Sequence, residues 1–369
     1  MPPGACPGDR WAAAVALGGQ GRYGRAATLL TGLLHDPAVP RVVAAHAAVT
    51  LASHRRQLGG HVAARRHDAW GLRLAADAAS VPGMPTVEVA RADALTGLAA
   101  DALGAGDLHG SRVLLARATS ACAGLAEGDD PGGAGRCAIR ARWVAAELAL
   151  MAGDPAAARS AAASAEAGAR ESRSSRHRVK SAIVAGVSRA AADPDTAPGV
   201  LLELDAAAAA AAHLGLLPLH WAAALAAADL ADRPGVADAA AAMAADGSAT
   251  TRSWDDVLGL ASGAEVAWHP PDGPVLPPVR RPDPSVGATR SALPSASRQR
   301  PSGVVDRIGN ANDRHVDRSS DAPNDTVSDA PRRRHAAART LSVLYSRSDP
   351  TGRRLMGESA WVPRWHRVM

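Results

Sequence analysis

The chain has no phenylalanine, two tyrosines and one lysine, Lys180, among its 41 basic residues; aromatic side chains occupy 3% of 369 positions. Isoleucine occurs only at Ile139, Ile183 and Ile308. Sheets draw on β-branched and aromatic residues, so this inventory argues against an all-β fold. Cys6, Cys122 and Cys137 are odd in number and form no C-x-x-C. Neither a disulfide framework nor a zinc site is expected, and the three read as free thiols. The N-terminal stretch MPPGACPGDRWAAAVALGG lacks a basic n-region, carries Asp9 ahead of a short apolar run, and does not read as a secretory signal. The most apolar stretch, Val200 to Ala231, is interrupted by Glu203, Asp205, His213, Pro218, His220 and Asp229, which does not suit a membrane span. A soluble cytoplasmic protein with no membrane partner is the expectation.

Catalytic motifs are lacking as well. No G-x-x-x-x-G-K, H-E-x-x-H or G-x-S-x-G occurs, so a Walker A loop, a zincin site and a hydrolase nucleophile elbow are not expected. Schiff-base chemistry would have to use Lys180, and nothing around it supports that. His46, His54, His61 and His67 cluster in sequence without an acid or thiol at ligand spacing, and are expected on solvated helix faces. Gly19-Gln20-Gly21-Arg22-Tyr23-Gly24 matches G-x-G-x-x-G, but a dinucleotide site needs that loop between a strand and a helix. The segment before it is alanine-rich, so an inter-helix turn is expected there. No metal, no cofactor and no enzymatic activity follow from the sequence.

What the chain does hold is alanine, about a quarter of all residues and well above ordinary usage. Alanine, leucine and arginine all favour helices, so composition points to an all-α protein. The net charge of +5 is unevenly placed. Residues 270–369 carry 17 arginines against 10 acidic residues, or +7, which leaves the first 269 residues at −2. A uniformly basic, nucleic-acid-binding surface is therefore not expected on the main body. The preference for arginine over lysine resembles that of high-GC coding.

Glycine and proline clusters alternate with apolar segments of helical length. Breaks centred near residues 20, 59, 105, 153, 194 and 233 give an irregular period of about forty residues, in the range of helix-pair solenoids. A second set falls between them, at His35-Asp36-Pro37, Val81-Pro82-Gly83, Asp129 to Gly135, Glu171 to Ser175, and Pro218. Inside the first unit, Trp11, Ala14 and Leu17 keep helical spacing and are followed by Gly21-Arg22-Tyr23, Ala26, Leu30, Leu33 and Asp36-Pro37. Looser versions occur at Ala99, Leu103, Gly106-Asp107-Leu108, Leu115 and Ala118, and at Trp143, Ala146, Leu150, Gly153-Asp154 and Ala158. This pattern resembles a degenerate tetratricopeptide repeat, although the period exceeds that family's usual one of about 34 and alanine replaces several aromatics. The resemblance covers residues 10 to about 250. It implies a right-handed α-solenoid of antiparallel helix pairs over 1–266, with a concave face that takes a peptide or protein. An irregular helical bundle would use the same patterning. After Ala267 proline, serine, arginine and aspartate dominate, so residues 267–369 are expected to be a disordered tail, with Thr340 to Tyr345 a candidate short helix.

One basic cluster stands apart: Arg173, Arg176, His177, Arg178 and Lys180, preceded by Arg170. Ser174 or Ser175 is a natural N-cap for a helix running through Ile183 and Val187. Basic residues in a first turn oppose the helix dipole, by several tenths of a kcal/mol each. Placed against that gradient, they suit an anionic group of a partner at the helix start. Glu166 and Glu171 nearby offer the plainer alternative of surface ion pairs. In the tail, Arg332-Arg333-Arg334-His335 is a basic run able to meet nucleic acid with steep salt dependence. The leading expectation is a non-enzymatic scaffold or adaptor that binds a peptide or protein. The alternative is a regulator contacting nucleic acid through its basic tail.

Overall fold

A computed structural model of the chain describes residues 5–125, 135–247 and 330–364. These all belong to one compact unit made of 1–263 and 324–369; a second unit, 264–323, lies outside the described residues. Every regular element in the described residues is helical. Twelve α-helices lie in residues 5–247 as described: α1 (Pro7–Gly19), α2 (Tyr23–His35), α3 (Arg41–Gln57), α4 (His61–Ala76), α5 (Val87–Gly104), α6 (Leu108–Ala123), α7 (Arg136–Met151), α8 (Pro155–Glu171), α9 (Ser175–Ala192), α10 (Ala197–His213), α11 (Leu217–Ala231) and α12 (Val236–Ala245), with a single 3-10 turn, Pro194–Thr196, between α9 and α10. Two more lie in residues 330–364, α13 (Ala330–Ser346) and α14 (Pro350–Glu358).

The turns explain where the helices begin and end. After α5, Gly106 takes φ +81°, and Asp107 N–H donates to the Ala102 carbonyl while Gly106 N–H donates to that of Leu103. This crossed pair satisfies two carbonyls that the helix end leaves open, and the left-handed residue suits glycine. The next residue, Asp107, then accepts from Gly110 N–H and starts α6. Gly153-Asp154 repeats the device between α7 and α8, with Pro155 at the first helical position. A three-residue turn thus stops one helix and caps the next, which forces an antiparallel pair. The breaks near 20, 59, 105, 153, 194 and 233 all fall between the two helices of a pair. Pro218 instead lies within the first turn of α11.

Packing is dominated by alanine. Ala14, Ala26, Ala47, Ala99, Ala118, Ala146 and Ala158 are fully buried, so helices can approach closely without large side chains between them. Each odd-numbered helix from α1 to α11 touches its even partner and also the next odd helix. The odd helices form a continuous inner layer and the even ones an outer layer. The described residues therefore build an all-α helical-repeat solenoid of paired antiparallel helices, without strands.

The expectation of disorder from residue 267 onward does not hold for residues 330–364; residues 267–329 lie outside the described residues. Ala330, Arg333, Ala337, Leu341 and Leu344 recur at helical spacing and are all buried along one face of α13. Tail-wide composition conceals that stripe, because its apolar members are few and diluted by arginine and serine. Leu341, Leu344, Met356 and Val362 form a core with Tyr23 and Leu58 of the first two pairs and with Leu217 and Trp221 of the last. Residues 330–364 thus act as a strap joining the early turns of the solenoid to its late helices. Glycine makes room for it: a Cβ on Gly21 would lie 2.1 Å from Leu344 Cδ2, and one on Gly60 2.5 Å from Leu355 Cδ1. Gly24 N–H donates to the Arg347 carbonyl at 2.8 Å. The G-x-G-x-x-G segment is an inter-helix turn, as expected, and two of its glycines receive the strap.

Candidate functional site

A cavity of about 500 Å³ opens on the inner layer. Its walls come from α1, α3, α5, α7, α9 and α11, with Trp361 and Val362 of the strap on one side. Trp11, Trp143, Trp221 and Trp361 give it aromatic surface. Trp11 is fixed by an Nε1–H donation to Thr50 Oγ1 at 2.9 Å, Trp143 by one to Ser181 Oγ at 2.8 Å, and Trp361 by one to the Gly104 carbonyl at 2.8 Å.

The basic cluster is divided by the helix it sits on. Ser174 is the N-cap of α9, its Oγ accepting from His177 N–H at 3.3 Å. Successive helical residues turn by about 100°, so a run of residues that spans most of a turn cannot all share one face. Arg176, His177 and Lys180 reach the cavity. Arg178 turns away and donates to the Ala169 and Arg170 carbonyls at 3.4 and 3.2 Å, closing the end of α8. Arg173 precedes the helix and is exposed. Of the expected surface pairs, Arg170 with Glu166 forms, at 3.0 Å.

His177 is buried and stacks on Trp143, with ring centres 5.2 Å apart and planes 22° from parallel. Its Nδ1 lies 2.7 Å from Ser174 Oγ, and its Nε2 has no hydrogen-bond partner among the described residues. Burial and the positive charge of Arg176 push its pKa down to about 3, so it is neutral near pH 7. Lys180 Nζ meets Glu147 at 2.9 Å and lies 6.0 Å from the Trp143 ring centre. Arg176 reaches across the interior toward α1, where a Cβ on Gly19 would lie 3.8 Å from its Cδ. No hydrogen bond or ion pair to its guanidinium occurs among the described residues. Burial and the like charge of Arg140 lower its pKa.

Sequence reasoning missed the groups that surround Arg176. Asp93 is buried between Arg136 Nη2 at 2.8 Å and Arg140 Nη1 at 2.5 Å. Burial alone would raise its pKa, but the two guanidinium groups outweigh that and hold it at about 2. Arg56 is engaged with Asp101 at 2.7 Å and with Asp68. The cations facing the cavity are thus Arg56, Arg136, Arg140, Arg176 and Lys180, against Asp93 and Glu147. Most of these residues come from α3, α5 and α7, far from the α9 cluster in sequence. Their one legible signal was membership of the first helix of a repeat pair, the helix that lines the inner face.

The four clustered histidines are a correction. His46 and His54 are buried rather than solvated, because α3 lies between neighbouring helices. His46 Nε2 lies 2.9 Å from the Pro85 carbonyl. His54 packs against Gly18, and burial with the charge of Arg176 pushes its pKa down to about 3. Cys6, Cys122 and Cys137 are free thiols. Among the described residues, no three His, Cys, Asp or Glu side chains are grouped to hold a metal ion, and no helix is long and apolar enough to cross a membrane. Compared with known proteins, the chain matches no family model, no curated protein and no solved structure.

Proposed function

We propose that this protein is a non-enzymatic, tetratricopeptide-like scaffold or adaptor of the cytoplasm that holds a peptide or protein segment on its inner face. Arg176 carries the proposal. A partly buried guanidinium with no counter-charge, next to a second arginine, is an unfavourable arrangement in the free protein. An acidic group of a partner relieves it, with Lys180 adding charge and Trp143 with His177 offering a flat surface. Arg173 and Arg178 do not line the cavity, so the reading rests on Arg176, His177 and Lys180 of the cluster. The nucleic-acid alternative is less well supported. Arg333 forms a two-point contact with Asp205 at 2.8 and 2.6 Å, and Arg334 pairs with Asp229 and Asp232 at 2.9 and 2.6 Å.

Photo-crosslinking tests the reading. Val15 lines the cavity and is 43% exposed; Val113 on α6 is equally exposed but does not line it. A photoreactive residue at position 15 in the host cell should give a discrete protein or peptide adduct, and at position 113 none. Arg176→Gln should reduce the adduct at 15. An absent adduct at 15, or equal capture at both positions, overturns the proposal.

A further inference from the structure

Cys122 lies in the last turn of α6 and Cys137 in the first turn of α7. In the fold both belong to one apolar cluster with Val89, Ala92 and Leu125, close enough for the two sulfurs to influence each other. They differ in access: Cys137 is 1% exposed, whereas Cys122 is only partly covered. They differ in charge environment too. Cys137 Sγ lies 3.7 Å from Asp93 Oδ1, and Arg136 Nη2 reaches the same sulfur at 3.7 Å. Cys6, the third thiol, is exposed at the N-cap of α1 and remote from both in sequence.

We propose that Cys122 and Cys137 form a dithiol that a hydroperoxide closes to a disulfide, with Cys122 as the attacking sulfur and Cys137 as the resolving one. The roles follow from the surroundings. A thiolate is the nucleophile, and it is favoured where a hydrogen-bond donor and cationic groups face it. Cys122 is the sulfur a peroxide can reach, and the neighbouring Cys137 thiol with the charges of Arg140 and Arg136 lowers its pKa against the opposing effect of burial. The neighbouring Cys122 sulfur, burial and Asp93 all push the Cys137 thiol up, and its S–H faces Asp93 Oδ1. In the first step the Cys122 thiolate attacks one peroxide oxygen. The O–O bond breaks, sulfur gives up two electrons, and the departing alkoxide or hydroxide takes a proton to leave as alcohol or water. Cys122 is then a sulfenic acid. In the second step Cys137 sulfur attacks Cys122 sulfur and the S–O bond breaks. The Cys137 proton leaves with hydroxide as water, with Asp93 within 3.7 Å to receive it in passing. Two thiols and one hydroperoxide give one disulfide, one alcohol or water, and one water.

The full-length protein, treated with excess hydrogen peroxide and then mapped without reduction, tests this. The expected product has lost the mass of two hydrogen atoms, contains a Cys122–Cys137 linked peptide, leaves Cys6 open to alkylation, and reverts with dithiothreitol. In Cys137→Ser the reaction should stop at Cys122, trapped as a dimedone adduct. In Cys122→Ser, Cys137 should stay reduced under the same treatment. Oxidation at Cys6 with the pair left reduced, disulfide-linked dimers as the main product, or a dimedone adduct at Cys137 rather than Cys122 would each overturn the proposal. Should either serine variant fail to keep its helical circular dichroism, the linked peptide in the native chain and in Cys6→Ser still decides it.

Discussion

Asp349→Ala is the sharpest test of whether the strap belongs to the fold. The Asp349 carboxylate accepts from Arg55 Nη1 and Nη2 at 2.5 and 2.7 Å, a fork-to-fork contact between residues 294 apart in sequence. Its Oδ1 also accepts from Gly352 N–H at 3.1 Å, capping α14. The Arg55 side chain is only 7% exposed, that of Asp349 23%. Losing an aspartate N-cap costs about 1 kcal/mol. Leaving a buried guanidinium unpaired costs about 3–5 kcal/mol. Water can reach the Asp349 side of the contact, which brings the unpaired-charge cost down to about 2 kcal/mol, and with the cap the combined effect on strap docking is about 3 kcal/mol. That corresponds to about 150-fold easier opening of α14, read as faster amide hydrogen exchange across residues 350–358. Asp349→Asn keeps an acceptor for the cap and part of the arginine contact, so it should fall between. Replacing both partners with apolar residues, Arg55→Met with Asp349→Leu, should recover much of the loss, because no orphan charge remains. An exchange rate in Asp349→Ala within about threefold of the native one would refute the reasoning and mark the contact as an ordinary surface ion pair.

Truncation after residue 266 should lower the melting temperature and increase dye-reported apolar exposure, since it bares Tyr23, Leu58, Leu217 and Trp221; an unchanged melt would show that the strap adds nothing to the body. Gly60→Ala places a Cβ 2.5 Å from Leu355 Cδ1 and should weaken strap docking by about 1–3 kcal/mol, seen as faster exchange in α14 alone. Asp93→Asn leaves Arg136 and Arg140 facing each other and should cost about 3 kcal/mol near neutral pH in chemical denaturation. The folded pKa of Asp93 lies below its unfolded value of about 4, so that difference should be full above pH 4 and vanish as pH falls through about 2. Arg176→Gln should leave the free protein equally or more stable by thermal melt, because it removes a partly buried charge beside Arg140. Arg178→Ala should instead lose about 1–2 kcal/mol with its two carbonyl contacts. A loss in Arg176→Gln as large as in Arg178→Ala would place Arg176 among the structural residues.

The helices and their pairing were legible in the sequence because their causes are local. A glycine that adopts positive φ and an aspartate that caps the next helix sit side by side at Gly106-Asp107 and Gly153-Asp154, and both act within one turn of backbone. Alanine content and the absence of phenylalanine fixed the class for the same reason, since helix propensity belongs to single residues. The strap was illegible as a whole because its stripe of Ala337, Leu341 and Leu344 gains stability only against Gly21, Tyr23 and Trp221, more than a hundred residues away. The cavity was half legible. Ser174 and the basic residues after it marked the start of α9, but only the helix's rotation decided that Arg176 and Lys180 face inward while Arg178 does not. Asp93, Arg136 and Arg140 became neighbours of that site through the stacking of α5, α7 and α9, an arrangement set by long-range packing rather than by any residue's own preference.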